Sequence, residues 1–399
     1  MLDIRPIRDE EFPEYVALGA YAFLGGVADQ ADVEEARRHM RPEWTLAAFE
    51  GGRLKARMNT LPLTMRLNGA GLPMGGVAGV CTWPEERRRG LVNSLLRRAL
   101  ETMKERGQVV SMLFPSFYAV YQKLGWSLAS YDRSCTFSAR DLEGVVHGQA
   151  RGRFERISAD DWALLDGVYR RFIEGRNGYL ERDESWWRRR VLSRWDEPLA
   201  AALWRDGHGE PQAYVVYRLQ QAEHAQEMRV RELVGVTPEA CDEALRFLAR
   251  HDLALRITWS APEDDPLAAR AHDPRALGAK LEPSFMLRVV DIAAALSARP
   301  CPGVDQPLRL VLSVRDEAAP WNDGSWLVEA EAGRAQISRT TEEADLSMGA
   351  GALSALFNGF LSPRAAVQGG LLEVSSPPAL EAAERLFAVT HRPHCSDYF

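Results

Sequence analysis

The sequence predicts a mixed α/β (α+β) protein built from three successive units. Strand and helix signals alternate through roughly the first third of the 399 residues, and the same order of signals partly repeats from Arg153 onward. A third alternation follows Pro300. Because domains typically have about 50–250 residues, a chain of this length is expected to divide. We place the units at 1–145, 146–292 and 293–399.

The composition is that of a soluble globular protein. Hydrophobic residues make up 46% of the chain and charged residues 26%, and no apolar run of about 18 residues marks a membrane span. The opening MLDIRPIRDEEF lacks the basic-then-apolar layout of a secretory signal, which predicts a cytoplasmic location. The five cysteines form no C-x-x-C pair and the eight histidines form no ligand-spaced cluster, so we expect neither disulfides nor a bound metal.

The elements of the first unit follow from residue spacing and turn signals. The clearest is a helix after residue 90, where Leu91, Leu95 and Leu100 share one apolar face and Gly107 supplies the stop. The dipeptide Asn68-Gly69 predicts a hairpin turn. In chain order we predict strands over 2–6, 45–49, 53–67, 72–82, 109–113 and 126–137, and helices over 9–22, 29–40, 91–107 and 115–123.

The second and third units are predicted in the same way. Thr237 and Pro238 have the residue types of a helix start, and the segment 261–283, rich in Pro, Asp and Ala, is predicted to be a loop. The predicted strands are 199–204, 212–219, 229–236, 253–259, 308–314 and 325–331, with helices over 237–251, 351–360 and 378–387.

One basic stretch, PEERRRGLVNSLLRRAL at residues 84–100, joins a strand to the first unit's main helix. A helix N-terminus presents unpaired N–H groups and positive potential, and guanidinium groups beside it suit a pyrophosphate. The arginines are Arg87, Arg88 and Arg89, and Gly90 lets a phosphate approach the backbone. The alternative is a solvated basic helix face. A net charge of −7 argues against a general nucleic-acid binder.

This loop resembles the acetyl-CoA loop of GNAT acetyltransferases, Arg/Gln-x-x-Gly-x-Gly/Ala, with Arg87 and Gly90 in place and Val92 at the final small position. The sequence R-R-R-G-L after a valine-rich strand resembles the Eis (enhanced intracellular survival) branch of N-acetyltransferases. The resemblance implies two GNAT-like domains followed by a sterol-carrier-protein-like α/β domain. The second unit has VGVTPEACDEALRFL where the first has its arginines, so we expect its GNAT-like domain to be degenerate.

The resemblance also implies the residues that bind acetyl-CoA. Backbone groups at the end of the strand would contact the pantetheine arm, the basic loop would hold the pyrophosphate, and a polar residue ahead of the next helix would also contact CoA. By position these residues are Val80, Cys81, Thr82, Arg87, Arg88, Gly90, Leu91 and Ser116. Ser116 could instead be a helix N-cap, and Cys81 is more simply a small core residue than a nucleophile.

Two further residues are implied to be catalytic. Tyr121, four residues before Gly125, matches the family's tyrosine that protonates the departing CoA thiolate. A packed tyrosine without a catalytic role is the alternative, and Tyr118 is the competing candidate. The chain ends in HRPHCSDYF, and in the Eis family the C-terminal carboxylate is the general base, here that of Phe399. A frayed tail is the alternative for this end.

We therefore expect an acetyl-CoA-dependent N-acetyltransferase that acts by direct attack of a primary amine. Cationic acceptors such as aminoglycosides, polyamines or lysine side chains would suit an acidic cavity, whose walls could include Asp29, Glu34 and Asp397 unless these are solvated surface residues. The family implies a homohexamer, with no nucleic-acid or membrane partner. The alternatives from other classes are a non-catalytic lipid carrier or scaffold, and a nucleic-acid binder that uses the basic helix.

Overall fold

A computed structural model describes residues 2–142, 145, 151–194, 197–221 and 226–399 of the protein. The described strands form three large sheets, and helices pack against each of them. The predicted boundary between residues 145 and 146 adjoins the segment 146–150, which lies outside the described residues.

The first unit has the predicted order of elements. The predicted helix after residue 90 is confirmed, and its apolar face packs on the sheet among buried residues. The elements are β1 (Leu2–Arg5), α1 (Phe12–Gly19), α2 (Gln30–His39), β2 (Thr45–Glu50), β3 (Arg53–Leu67), β4 (Ala70–Thr82), α3 (Leu91–Glu105), β5 (Val110–Leu113), α4 (Tyr118–Gln122) and β6 (Ser127–Leu128). A π-helical turn, Ala20–Leu24, extends α1.

The second unit repeats the arrangement around its own sheet. Thr237 caps the predicted helix, because its side chain accepts a hydrogen bond from the Ala240 N–H. The elements are β7 (Tyr131–Phe137), β8 (Gly152–Ile157), α5 (Trp162–Ile173), α6 (Glu184–Trp186), β9 (Ser193–Arg194), β10 (Glu197–Pro198), β11 (Ala200–Asp206), β12 (Pro211–Gln221), β13 (Gln226–Gly235), α7 (Pro238–Ala249), β14 (Ala254–Pro262), α8 (Leu267–Arg270) and β15 (Lys280–Pro283). The loop predicted over 261–283 is therefore wrong in part, since it contains α8 and β15.

The third unit carries the remaining sheet and four helices. The two predicted strands and two predicted helices are confirmed, with short elements between them that the sequence analysis did not predict. The elements from the end of the second unit onward are β16 (Met286–Val289), α9 (Ile292–Ala298), β17 (Leu308–Arg315), β18 (Gly324–Glu331), β19 (Arg334–Arg339), β20 (Leu346–Gly349), α10 (Ala350–Phe357), α11 (Pro363–Gln368), β21 (Leu372–Val374) and α12 (Pro377–Leu386).

The first two sheets exchange strands, which the sequence analysis did not foresee. We predicted one strand over 126–137 that closes the first unit, but this strand is interrupted at Ala129 and Ser130. Its second part, β7, pairs with β14 and β15 in the second sheet. In return, β16 lies between β5 and β6 of the first sheet. The correction has a tertiary cause, because strand partners more than 100 residues away leave no local signal.

The units are packed closely together. The largest buried apolar cluster joins β3 and β4 of the first unit to β17 and α10 of the third, with Met65, Leu72 and Leu310 among its fully buried members. A buried ion pair between Arg288 and Asp316 links β16 to the third unit.

Within the described ranges no helix is both long and apolar enough to cross a lipid bilayer.

Candidate active site

A gap opens where β4 and β5 separate. The two strands run parallel and pair over a short stretch that ends with Gly76 opposite Met112. Beyond this point β4 continues to Thr82, whereas β5 ends at Leu113. The main-chain groups of β4 that face β5 are therefore without a partner strand, and they are available to a ligand with amide groups.

The residues predicted to contact pantetheine lie on this separated part of β4. Val80 packs toward α3, while Cys81 packs into the cluster beneath α1, so main-chain groups rather than these side chains face the gap. The Thr82 hydroxyl is buried and has no hydrogen-bond partner among the described residues. Burial raises the pKa of the Cys81 thiol, although the Arg57 charge opposes the shift. Cys81 is therefore a poor nucleophile, in line with a small core residue.

The basic loop has the geometry of an anion site. Gly90 is the N-cap of α3 with φ +79°, a left-handed conformation that glycine adopts readily. A Cβ atom built on Gly90 would have no described atom within 4 Å, so the space beside it is open. The first N–H with an acceptor in the helix is that of Ser94, which donates to the Gly90 carbonyl at 3.1 Å. The N–H groups before it, beginning at Leu91, are therefore free. Arg87 and Arg88 are exposed beside them and form no ion pair within the described residues.

Arg89 does not join these two arginines. Its guanidinium pairs with Glu50 at 2.8 Å and also with Glu86, which in turn pairs with Lys55. Arg89 thus ties the loop to β2 and β3, and its charge is already compensated. Among the described residues, the loop therefore presents two unpaired guanidinium groups, those of Arg87 and Arg88, rather than three.

The helix α4 carries Tyr121, which is buried against Trp126 with ring centroids 6.5 Å apart. Its hydroxyl makes no hydrogen bond within the described residues, and burial raises its pKa, so it holds its proton at neutral pH. The competing candidate, Tyr118, is half-buried, and its pKa is raised by burial and also by Tyr398 and Tyr131. Ser116 is exposed, and α4 begins later with Phe117 as its N-cap, so Ser116 does not cap this helix.

The C-terminus reaches into the first unit and lies at the point where β4 and β5 separate. A Cβ atom on Gly76 would be 2.9 Å from the Phe399 ring. The ring therefore packs on the last residue of β4 that pairs with β5. Phe114, directly after β5, stacks on Tyr398 at 4.2 Å and meets Phe399 edge-on at 5.5 Å. The ring of Trp186, from the second unit, also meets the Phe399 ring edge-on, with ring centroids 6.3 Å apart. The chain end is therefore packed on the site rather than frayed.

A buried ion network holds this end of the chain. The Nε of Arg182 donates to both carboxylate oxygens of Asp397 at 3.0 and 3.1 Å, and its Nη1 and Nη2 donate to Glu232 at 2.9 and 2.7 Å. Trp186 Nε1 donates to Asp397 at 2.7 Å, and Ser396 Oγ to Glu232 at 2.5 Å. All three ionised side chains are at most 5% exposed. Asp397 is thus a structural partner of Arg182.

This network corrects the predicted pocket wall. Asp397 is fully buried and neutralised, so it lines no open cavity. Asp29 caps α2 by accepting a hydrogen bond from the Asp32 N–H at 3.0 Å, and Glu34 is exposed on the same helix. No hydrogen bond or ion pair in the described part of the chain joins Asp29 or Glu34 to the C-terminus.

The sequence analysis also missed a buried arginine of the first unit, Arg57 of β3. Its Nη1 donates to the Tyr15 carbonyl at 2.8 Å, its Nε donates to Cys81 Sγ at 3.4 Å, and its guanidinium stacks on the Tyr15 ring. It forms no ion pair within the described residues, and it lies 3.6 Å from where a Cβ of Gly79 in β4 would stand. A positive charge therefore lies beneath the separated strand.

The second unit has a similar gap with a different surface. β13 and β14 pair in parallel as far as Val230 and Trp259, and beyond them lies a cavity of about 290 Å³ lined by residues of both strands and of the C-terminal segment. The side chain of Thr237 already caps α7, and no arginine run precedes this helix. The second unit thus lacks the pyrophosphate loop. Nowhere in the described ranges is a group of His, Cys, Asp or Glu placed to hold a metal ion.

Comparison with known proteins agrees with this geometry. Models of the acetyltransferase (GNAT) domain match residues 3–129 and 178–289, and a sterol carrier protein domain matches residues 292–396. An uncharacterized N-acetyltransferase of Streptomyces griseus is 29% identical over all of both chains. N-acetyltransferase Eis of Mycobacterium tuberculosis is 26% identical over 72% of this chain and 71% of that protein. Eis1 of Mycobacterium abscessus superimposes over all of both chains with a TM-score of 0.83 at 24% identity.

The fold and the site define an acetyltransferase of the GNAT class, for which acetyl-CoA is the co-substrate and an amine the acceptor. Within that class, the chain belongs to the Eis-like proteins, with two GNAT domains and a C-terminal sterol carrier protein domain. The predicted family and fold are confirmed.

The network makes a testable contribution to acid stability. Burial alone would raise the pKa of Glu232, but the Arg182 charge and hydrogen bonds from Arg182, Ser396 and Tyr214 lower it to about 2 from 4.5. The folded protein therefore keeps this charge where the unfolded chain takes up a proton. The stability that Glu232 contributes is present above pH 4.5 and is lost as the pH falls toward 2.

We expect the free energy of unfolding to fall less between pH 5 and pH 3 in Glu232→Gln than in the wild type. Urea unfolding at the two pH values measures both falls, and the carboxylates outside the Arg182 network cancel in the comparison. Equal falls in the two proteins would show that Glu232 has an ordinary pKa.

Proposed function

We propose that the protein transfers the acetyl group of acetyl-CoA directly to a primary amine, with the C-terminal carboxylate of Phe399 as general base and Tyr121 as general acid. The observation that carries this proposal is the packing of Phe399 on Gly76, where β4 and β5 separate. The N–H groups at the start of α3, with Arg87 and Arg88, are suited to the pyrophosphate of the cofactor. Val80, Cys81, Thr82 and Ser116 are suited to its pantetheine arm.

In this mechanism the amine nitrogen attacks the thioester carbon, and the carbonyl electron pair moves to oxygen. A free N–H of β4 and the buried charge of Arg57 favour that negative charge. The Phe399 carboxylate accepts the proton that the ammonium form of the acceptor loses before this attack. The electron pair on oxygen then returns to re-form the carbonyl, the C–S bond breaks, the thiolate takes a proton from Tyr121, and the proton on the acylated nitrogen returns to the tyrosinate through water. Reference pKa values of about 10 for Tyr and about 8.5 for a thiol make complete transfer uphill by roughly 2 kcal/mol, so a hydrogen bond formed as charge develops is the minimum role.

We further propose cationic acceptors, namely aminoglycosides, polyamines or lysine side chains. Support comes from the net charge of −7 and from a carboxylate at the reaction centre. Asp29 and Glu34 could add to this field only if the acceptor extends along α2. The hexameric assembly and the cytoplasmic location stay predictions from sequence.

The direct experiment is a thiol-release assay with acetyl-CoA and a panel of amines that includes an aminoglycoside, spermidine and a lysine peptide. We expect amine-dependent release of CoA. A protein that binds acetyl-CoA but releases no thiol above hydrolysis with any amine would refute the proposal.

The double variant Arg87→Ala/Arg88→Ala should fold normally and bind acetyl-CoA at least tenfold more weakly. Both side chains are exposed and unpaired in the described structure, and each charge-assisted bond is worth about 1.5–3 kcal/mol. Calorimetric titration measures the affinity. Arg334→Ala is the matched control, because Arg334 of β19 is also exposed and forms no ion pair within the described residues. Equal affinities of the double variant and the wild type would exclude the loop as the pyrophosphate site.

Tyr121→Phe should leave the melting temperature nearly unchanged, because the hydroxyl makes no hydrogen bond in the described structure, and should lower kcat by about 10² or more. Tyr118→Phe is the control and should have a much smaller effect. Steady-state kinetics measure both. Equal, small losses of kcat in the two variants would indicate that Tyr121 is a packing residue and not the general acid.

A C-terminal extension of a few residues should abolish most of the activity, because it converts the Phe399 carboxylate into a neutral amide and adds bulk at the gap. Deleting Phe399 should also be harmful, since the new carboxylate would stand about 3.3 Å away. We expect kcat/KM to fall for both forms while acetyl-CoA affinity and the activity of an N-terminally tagged form are retained. Full activity of both altered forms would mean that another residue is the general base.

A further inference from the structure

We infer that the second GNAT domain positions the general base of the first, through the buried contact between Arg182 and Asp397. This inference rests on the proposed role of the Phe399 carboxylate. It assigns Arg182, Glu232 and Asp397 as positioning residues, which act through Phe399 and touch neither acetyl-CoA nor the acceptor.

The contact fixes the chain close to its end. Asp397 is two residues before Phe399, and a residue spans at most about 3.6 Å, so the Cα atom that bears the carboxylate lies within about 7 Å of the Cα of Asp397. Trp186 restricts the intervening chain further, because its indole N–H donates to Asp397 and its ring contacts Phe399. A chain end would otherwise sample many conformations. The anchor therefore limits where the carboxylate can lie.

The anchor belongs to the second unit. Arg182 precedes α6, its guanidinium stacks on the rings of Tyr169 and Trp187, and its Nη atoms are held by Glu232 of β13. Tyr214 of β12 donates to the same glutamate at 2.8 Å. The guanidinium is thus held in the core of the second unit by contacts that do not involve Asp397.

The geometry also explains what the second unit contributes without a pyrophosphate loop. The strand that carries Glu232 is β13, the counterpart of β4, and the cavity beside it is lined by His394 and Ser396 of the C-terminal segment. The part of the fold that holds cofactor in the first unit therefore holds the end of the chain in the second. A purely stabilising ion pair would not need to lie two residues from the catalytic carboxylate.

The test compares Asp397→Asn with Asp166→Asn, a matched control. Asp166 is also buried in the second unit and accepts hydrogen bonds from an arginine, Arg170 at 2.5 Å, and from an indole N–H, that of Trp187 at 2.9 Å. It makes no hydrogen bond or ion pair to the C-terminal segment in the described structure. Because its partner Trp187 also stacks on Arg182, the control perturbs the surroundings of the anchor while leaving the contact with Asp397 in place. Thermal unfolding and acetyl-CoA affinity establish that each variant is folded.

Two acceptors separate positioning from general damage. A lysine-like amine, with a pKa of about 10, needs a base to lose its proton, whereas an alkoxyamine is already neutral at pH 7. We expect Asp397→Asn to lower kcat for the amine at least tenfold and for the alkoxyamine less than about threefold, with acetyl-CoA affinity unchanged. Asp166→Asn should lower neither kcat by more than about twofold.

A double-mutant cycle then asks whether Asp397 acts through Phe399. In a chain that lacks Phe399, Asp397→Asn should cause little further loss of kcat. An equal loss with both acceptors, or full additivity with the Phe399 deletion, would overturn the inference. If wild-type protein acetylates neither acceptor, the proposed function has failed instead.

If Asp397→Asn does not fold, Ser396→Ala provides the same test. Ser396 Oγ accepts a hydrogen bond from Arg182 Nη2 at 3.1 Å and donates one to Glu232, so its loss loosens the anchor without removing a charge. We expect a smaller loss of kcat that again affects the amine more than the alkoxyamine. Unchanged kcat for both acceptors would count against the inference.

Discussion

The guanidinium of Arg182 lies in the protein interior with two carboxylates, Glu232 and Asp397, that are far apart in the sequence. Taking these charges out of water is costly, and such a group is stable only when its hydrogen bonds are made. Ser396, Trp186 and Tyr214 supply the remaining partners. Removing one charge from a network of this kind typically costs about 3–5 kcal/mol, a large part of the stability of a domain. The position of the chain end is therefore bound to the integrity of the second core.

The two GNAT domains show how one backbone arrangement supports two tasks. Each has a pair of parallel strands that separate before a helix. In the first, Gly90 leaves the helix N-terminus open and arginines stand beside it. In the second, the Thr237 side chain accepts the Ala240 N–H and Pro238 has no N–H, so this helix start offers an anion fewer donors. The difference lies in the loop, while the strands are alike.

The parts of the structure with local causes could be predicted from the sequence. The helix α3, its glycine N-cap and the arginine loop depend on residues within about twenty positions of each other, and the family resemblance rested on them. The strand exchange depends on partners more than 100 residues apart, and Arg182 has partners 50 and 215 positions away. Asp397 was predicted to line the acceptor pocket, or else to be a solvated surface residue, because its neutralising arginine is 215 positions away. Arg89 was misassigned for a related reason, since one of its partners, Glu50, lies on another strand.

The exchange of β7 and β16 also sets the order in which the protein can be completed during synthesis. β6 is joined to the first sheet through β16, which emerges from the ribosome only after the whole second unit has been made. At about 5–20 residues per second, that delay is on the order of ten seconds. Until then the edge of β5 lacks its antiparallel neighbour and exposes unpaired main-chain groups. The first sheet is thus completed only when the end of the second unit returns its strand.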